Sequence, residues 1–192
     1  KVPFFGFAVL CTDHPTVATL APWLRRRVVT YGLNSGAEFQ GIDISSVGLS
    51  TSIGVVHRRT LLGRIQLAMP GHHNVSNALA TVAVAMNLEI PFAMISEALH
   101  NFTGVDRRFS IRAEITPADD AAPITIIDDY GHHPAEIHAT LAGAQAAWPH
   151  RRIVAVFQPH RYTRVRDLLD DFARSFNPFV GGLILGLFIC LL

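Results

Sequence analysis

Two short apolar runs, Ile124 to Ile127 and Ile153 to Phe157, each end in a crowded polar segment, and each segment leads into residues at helical spacing. Runs of this length, rich in β-branched residues and bounded by punctuation, read as buried strands, the first as a parallel strand covered on both faces. The polar segments are Asp128-Asp129-Tyr130-Gly131-His132-His133-Pro134 and Phe157-Gln158-Pro159-His160-Arg161-Tyr162-Thr163-Arg164. After the first, Pro134 suits a first helical position, Glu136 lies near the positive end of the helix, and Ile137, Leu141, Ala144 and Trp148 form one stripe. After the second, Leu168, Leu169, Phe172 and Phe176 supply the buried face of another helix. Two successive strand–helix units imply a right-handed crossover and a Rossmann-like half-domain, and such sheets bind ligands beyond the carboxyl ends of neighbouring strands. Two carboxylates, three histidines and two arginines are thus expected on one rim.

Upstream, Phe5 to Cys11 reads as a strand, and Val17, Leu20 and Leu24 follow the Thr12-Asp13-His14-Pro15 punctuation at helical spacing. Val28 to Tyr31 is a second strand. Between Ala37 and Leu67 the pattern changes to short β-rich pieces, expected as antiparallel strands added to a mostly parallel sheet. Pro70-Gly71 breaks it, Asn74 to Asn87 suits a well-buried helix, and Pro91 to Asn101 suits a second with Ile95, Leu99 and Phe102 on one face. Gly104 is a glycine stop, which places a domain boundary after residue 103, and a hairpin-like stretch with an Asp119-Asp120 loop follows.

The net charge of +1, with 16 basic against 15 acidic residues, leaves no electrostatic footprint for nucleic acid. Cys11 and Cys190 have no metal-ligand spacing, so neither a disulfide framework nor a metal site is indicated, and a reducing, cytoplasmic setting fits. The chain starts at a lysine without a signal peptide and reads as cut from something longer. Residues 178–192 carry no charge. They fall short of the roughly 20 apolar residues a spanning helix needs, so a buried strand with a disrupted continuation is preferred to a membrane anchor.

Several constellations carry chemistry, each with a plainer alternative. In Gly71-His72-His73-Asn74-Val75-Ser76-Asn77, Asn74 and Asn77 share one face of a first helical turn, where both amides can meet a base or a phosphate; alternatively Asn74 or Ser76 only caps the helix. Of Arg107 and Arg108, one can clamp a phosphate while its neighbour forms a surface ion pair. Asp128 and Asp129 can hold Mg²⁺, a ribose hydroxyl or a water, or orient a histidine; otherwise they belong to a solvated loop. His132 and His133 are adjacent and without helically spaced partners, which argues against a zinc pair. Arg161 and Arg164 lie one turn apart at a helix start, against the helix dipole, so an anionic ligand explains them better than solvation does.

Taken in order, Gly71 to Asn77, Gly104-Val105-Asp106-Arg107-Arg108-Phe109, Asp128 to Pro134 and Phe157 to Arg164 resemble the motifs of the Mur ligases of peptidoglycan synthesis. The resemblance implies an α/β chain: residues 1–103 as the later part of a central ATPase domain, and 104–192 as an incomplete Rossmann-like C-terminal domain ending in the atypical tail 178–192. It implies ATP-dependent amide formation through an acyl phosphate, with UDP-N-acetylmuramate and L-alanine as substrates and ATP with Mg²⁺ as cofactors, the principal magnesium ligands lying outside the chain. Tyr130-Gly131 favours the alanine-adding members; a tripeptide-recycling member, or a non-catalytic nucleotide-binding fragment, is the alternative. His73, Asn74 and Asn77 would contact ATP from the central domain, with Arg108 and Asp129 reaching it from the other as the domains close. Tyr130, His132, His160, Arg161 and Arg164 would line the pocket for the muramoyl carboxylate and the incoming amino acid, with Arg108, Asp129 and His132 as catalytic groups. The pattern departs from the family in lacking a Gly-x-x-Gly-Lys-Thr/Ser phosphate loop, and the tail has the look of a frameshift or truncation.

Overall fold

The computed structural model describes residues 3–118 and 123–185. The chain divides into two compact units, Lys1–Phe102 and Thr103–Leu192.

In the first unit, β1 (Phe7–Cys11), β2 (Arg27–Gly32), β3 (Phe39–Val47), β4 (Ser50–His57) and β5 (Thr60–Leu67) form one sheet in sequence order. β1, β2 and β3 run parallel, whereas β3, β4 and β5 form an antiparallel meander. The sequence dictates this switch through loop length. α1 (Pro15–Leu20) and a 3₁₀ turn (Ala21–Trp23) connect β1 to β2, giving room for a parallel crossover; two residues each connect β3 to β4 and β4 to β5, which permits only hairpins. α2 (His72–Asn87) and α3 (Phe92–Asn101) close the unit.

Val75, Ala78, Leu79, Val82 and Ala83 recur at helical spacing along α2 and are buried with Val29, Phe39, Ile53, Val55, Ile65 and Leu67 of the sheet and Ile95 and Leu99 of α3. Gly41 permits the close approach, since a Cβ there would stand 2.9 Å from the Leu79 Cδ1. Two expectations fail here. The first helix ends at Leu20 and buries no residue, because Pro22 falls within two residues of it. Phe102 lies beyond the end of α3 and is exposed, so it does not share the stripe of Ile95 and Leu99.

In the second unit, β6 (Ser110–Ile115) pairs antiparallel with β7 (Ile124–Asp128), then α4 (Pro134–Ala147) leads to β8 (Ile153–Phe157). α5 (Tyr162–Asp167) and α6 (Leu169–Phe176) connect β8 to a parallel partner, β9 (Val180–Leu185), a βαβ unit. Ile137 and Leu141 of α4 pack with Phe172 and Phe176 of α6 over Ile153, Ala155 and Phe157.

The structure corrects the reading of these strands. β7 and β8 share no ladder among the described residues, and neither is covered on both faces. β7 is antiparallel to β6 with Ile124 exposed, and β8 alternates, its Val154 and Val156 facing out. Period-2 burial is hidden when both faces of a strand are apolar. The helix after Thr163 is broken at Leu168, whose φ of −125° leaves the helical region, and Leu169 is consequently exposed. The apolar tail does supply a strand as far as Leu185. Residues 186–192 and the Asp119-Asp120 loop lie outside the described residues.

The β4–β5 hairpin turns on Arg58 and Arg59, with φ of 48° and 71°, in a two-residue loop that normally takes Asn-Gly. Arg58 pairs with Glu38 at 2.8 Å, which offsets its backbone strain. Arg59→Gly is expected to raise the stability of the chain by about 1 kcal/mol, read as a higher urea midpoint at unchanged slope.

Candidate functional site

The rim of the second unit is organised by backbone that the sequence alone would place elsewhere. Arg107 and Phe109 both adopt left-handed conformations, φ 57° and 53°, so the Arg107-Arg108-Phe109 segment is strained at either side of Arg108. Asp129 holds it in place. One carboxylate oxygen accepts the Phe109 N–H at 2.9 Å and the other accepts the Gly131 N–H at 2.7 Å, while the Tyr130 N–H donates to the Arg107 carbonyl at 2.7 Å. Asp129 is therefore half-buried and occupied by backbone, and the Arg108 side chain extends exposed from the loop it secures.

Asp128, at the end of β7, accepts a hydrogen bond from Arg112 at 2.8 Å and lies 3.6 Å from Arg107 Nε. Arg112 also reaches Asp106 at 2.7 Å. Asp128, then Asp106, holds the Arg112 guanidinium above its ordinary value. The Arg107 guanidinium lies 5.0 Å from the centre of the Tyr130 ring, and that ring meets His132 edge-on at 5.1 Å.

His132 is fixed at three points. Its N–H donates to Glu136 at 3.0 Å, its carbonyl accepts from Arg164 Nη1 at 3.4 Å, and its Nδ1 stands 3.0 Å from the Tyr130 carbonyl. Glu136 also accepts the His133 N–H at 3.2 Å, while His133 Nδ1 accepts the Ala135 N–H, so the two residues together cap α4. Partial burial works against the charge of Glu136, but the His132 N–H and ring, the His133 N–H and Arg108 outweigh it and hold this carboxyl below its ordinary value.

Of the residues expected here, the structure thus brings together Arg108, Asp129, Tyr130, His132 and Arg164. His160 and Arg161 are exposed at the start of α5, where Arg161, with φ 65°, is the N-cap. Glu136 and Arg112 were not expected in the network, whereas Arg107 makes a surface ion pair, to Asp128, of the kind expected of one of the two arginines. A glutamate three residues after the cap was visible as a capping signal, but nothing in the sequence marks Arg112, which reaches Asp128 only because β6 pairs with β7.

In the first unit, α2 starts at Gly71, φ 96°, and no side chain caps it. The alternative in which Asn74 or Ser76 caps is not what forms. The Asn74 amide instead donates to the Pro70 carbonyl at 2.8 Å, which leaves its oxygen available; Asn77 is exposed one turn on; His73 is half-buried. Ser76 faces Cys11 at 3.7 Å beside Tyr31, whose phenol is pushed up by burial and then by the Cys11 thiol. Among the described residues there is no group of three or more His, Cys, Asp or Glu able to hold a metal ion, and no helix long and apolar enough to cross a membrane.

Residues 1–85 match the Mur ligase middle domain, and residues 107–185 match the Mur ligase, glutamate ligase domain. The chain belongs to the Mur ligase family. A UDP-N-acetylmuramate--L-alanine ligase of Pelobacter propionicus is 49% identical over 176 residues, 92% of this chain and 37% of that protein. The crystal structure of the UDP-N-acetylmuramate-alanine ligase MurC of Thermotoga maritima superposes with a TM-score of 0.69 at 32% identity, over 82% of this chain and 33% of that one. The MurF ligase of Thermotoga maritima, solved in complex with ADP, has a TM-score of 0.73 at 18% identity over 96% of this chain and 41% of that one, which shows the shared fold. This Mur ligase chain thus spans about 37% of the length of its curated relatives, and it contains no phosphate-loop sequence.

Asp129 accepts from two backbone N–H groups, so its loss bears on the fold as well as on the site. Asp129→Ala strips the acceptor from two N–H groups and is expected to cost about 1–3 kcal/mol in urea denaturation, with Asp129→Asn losing less because its amide oxygen still accepts. Because the folded-state value of Glu136 is depressed, its contribution to stability is present above the ordinary glutamate value of 4.5 and is lost as pH falls through the lower folded value. Thermal unfolding of the chain is therefore expected to drop on acidification below pH 4.5, and Glu136→Gln to flatten that dependence.

Proposed function

We propose that this chain is part of a cytoplasmic, ATP-dependent ligase that joins L-alanine to UDP-N-acetylmuramate in peptidoglycan synthesis. The observation that carries the reading is 49% identity, over 92% of the chain, to a relative of that name. The geometry supports it, since the rim of the second unit gathers the charged groups that amide formation from a carboxylate requires.

The chemistry runs in two stages. The muramoyl carboxylate takes the γ-phosphoryl group of ATP to give an acyl phosphate, and the amine of the amino acid then displaces phosphate. Negative charge builds at both, so preorganised cationic donors stabilise both. Arg108, exposed on a loop locked by Asp129, suits the phosphoryl stage. Arg164 has one nitrogen on the His132 carbonyl and further N–H groups to hold the amino-acid carboxylate, alongside Arg161 and His160 at the start of α5. Tyr130 and His132 form the wall where the amine would stand.

The start of α2 fits the adenine nucleotide: an uncapped helix end, the free Asn74 oxygen, the exposed Asn77 amide and His73 supply donors and an acceptor suited to a base and to phosphate. Among the described residues no three His, Cys, Asp or Glu gather around one point, and Asp128 and Asp129 are engaged by Arg112 and by backbone N–H groups, so no step of the chemistry is assigned to Mg²⁺ on this chain.

Phosphate release by the longer ligase, measured with UDP-N-acetylmuramate, ATP and each amine in turn, tests the reading. L-Alanine is expected to support turnover and a tripeptide to support little. Preference for the tripeptide would instead identify a recycling ligase. Arg108→Ala is expected to lower kcat by roughly two to three orders of magnitude, the usual loss when one charge-stabilising donor is removed.

A further inference from the structure

Glu136 contributes nothing to the chemistry so far, yet it faces a ring at the centre of the site. Its Oε2 accepts the backbone N–H of His132 at 3.0 Å and that of His133 at 3.2 Å, and lies 3.6 Å from His132 Nδ1. The same Nδ1 is 3.0 Å from the Tyr130 carbonyl oxygen. A carbonyl can only accept, and a carboxylate held ionised can only accept, so the hydrogen between them belongs to Nδ1. In the neutral ring this leaves Nε2 with its lone pair. Its neighbour is arranged oppositely: His133 Nδ1 accepts the Ala135 N–H, so the two adjacent imidazoles are set in different tautomers by different partners.

Among the described residues, the other contacts of His132 leave Nε2 alone. The Tyr130 ring touches it edge-on, Arg107 braces that ring from beyond, and Arg164 takes the backbone carbonyl. The charged groups around the ring are Glu136, Arg164 and, through its effect on Glu136, Arg108.

We propose that Glu136 is a positioning residue that, with the Tyr130 carbonyl, fixes His132 in its Nδ1–H tautomer, so that Nε2 accepts the proton of the attacking amine. The proposal rests on the ligase reading above. The ammonium group of the amino acid gives one proton to Nε2, making the ring an imidazolium and freeing the nitrogen lone pair. That pair forms the C–N bond at the acyl carbon, phosphate leaves with the electron pair of the C–O bond, and the nitrogen releases its second excess proton to the departing phosphate. Glu136 touches none of the reacting atoms; it holds the loop and the ring that do.

Nitrogen-15 NMR of the histidine-labelled chain reads the tautomer directly, with His132→Gln assigning the resonance. Wild type is expected to show the neutral His132 ring as Nδ1–H, Glu136→Ala a mixture of both tautomers, and Glu136→Gln the Nδ1–H form again, since an amide oxygen still accepts from the two backbone N–H groups. An Nε2–H ring in wild type, an unchanged ratio in Glu136→Ala, or a mixture in Glu136→Gln would each overturn the assignment. If the alanine variant does not fold, the wild-type and glutamine spectra still decide. In the longer ligase, Glu136→Ala is expected to lower kcat roughly a hundredfold, at the low end of general-base contributions, with KM for ATP unchanged. Full kcat in that variant overturns the catalytic half. A ligase that ignores L-alanine would refute the substrate reading and leave the tautomer measurement standing.

Discussion

The rim of the second unit depends on one carboxylate. Asp129 accepts hydrogen bonds from the Phe109 and Gly131 N–H groups, and so ties a segment with two left-handed residues to the segment that follows β7. Left-handed backbone at Arg107 and at Phe109 is costly, and it persists only where the surroundings over-determine it. With the clamp in place, Arg108 extends from a rigid base, Arg107 lies across Tyr130, and Tyr130 and Glu136 together orient His132. A residue readily taken for a ligand contact is thus also the fixture on which the contacts are mounted.

The first unit offers a different kind of support. α2 is held to the sheet by an unbroken apolar stripe from Val75 to Ala83, and Gly41 lets Leu79 close against β3. That packing engages Val75 in the first turn of α2 but leaves Asn74 and Asn77 off the apolar stripe. Gly71 starts the helix in a conformation that only glycine adopts readily, and Asn74 and Asn77 keep polar atoms available there. Packing energy is invested in the body of the helix, and its polar end is preorganised as a result.

Much of this was legible in the chain. The helices from His72 and from Pro134, the hairpins between Phe39 and Leu67, and the strands preceding both rim segments follow from periodicity and punctuation, because those signals are local. The errors were of one kind. β7 and β8 were expected to be neighbours, with β7 covered on both faces, Phe102 and Leu169 to be buried, and an asparagine or serine to cap α2; each depended on what a residue meets far away in sequence. An apolar run records that a strand is buried without recording its partner, and Asn and Ser are good caps unless another acceptor, here the Pro70 carbonyl, competes for the side chain.

The sequence by itself determined the α/β class, the family and the residue types at the rim, since order and spacing of motifs survive without coordinates. Only the tertiary structure decided how those residues divide their work. Asp128 is committed to Arg112 because β6 lies beside β7, Asp129 to two backbone N–H groups, and Glu136 to the loop of His132. A carboxylate's role is set by which donors reach it within about 3 Å. That distance depends on how the chain returns on itself, which side-chain identity does not encode.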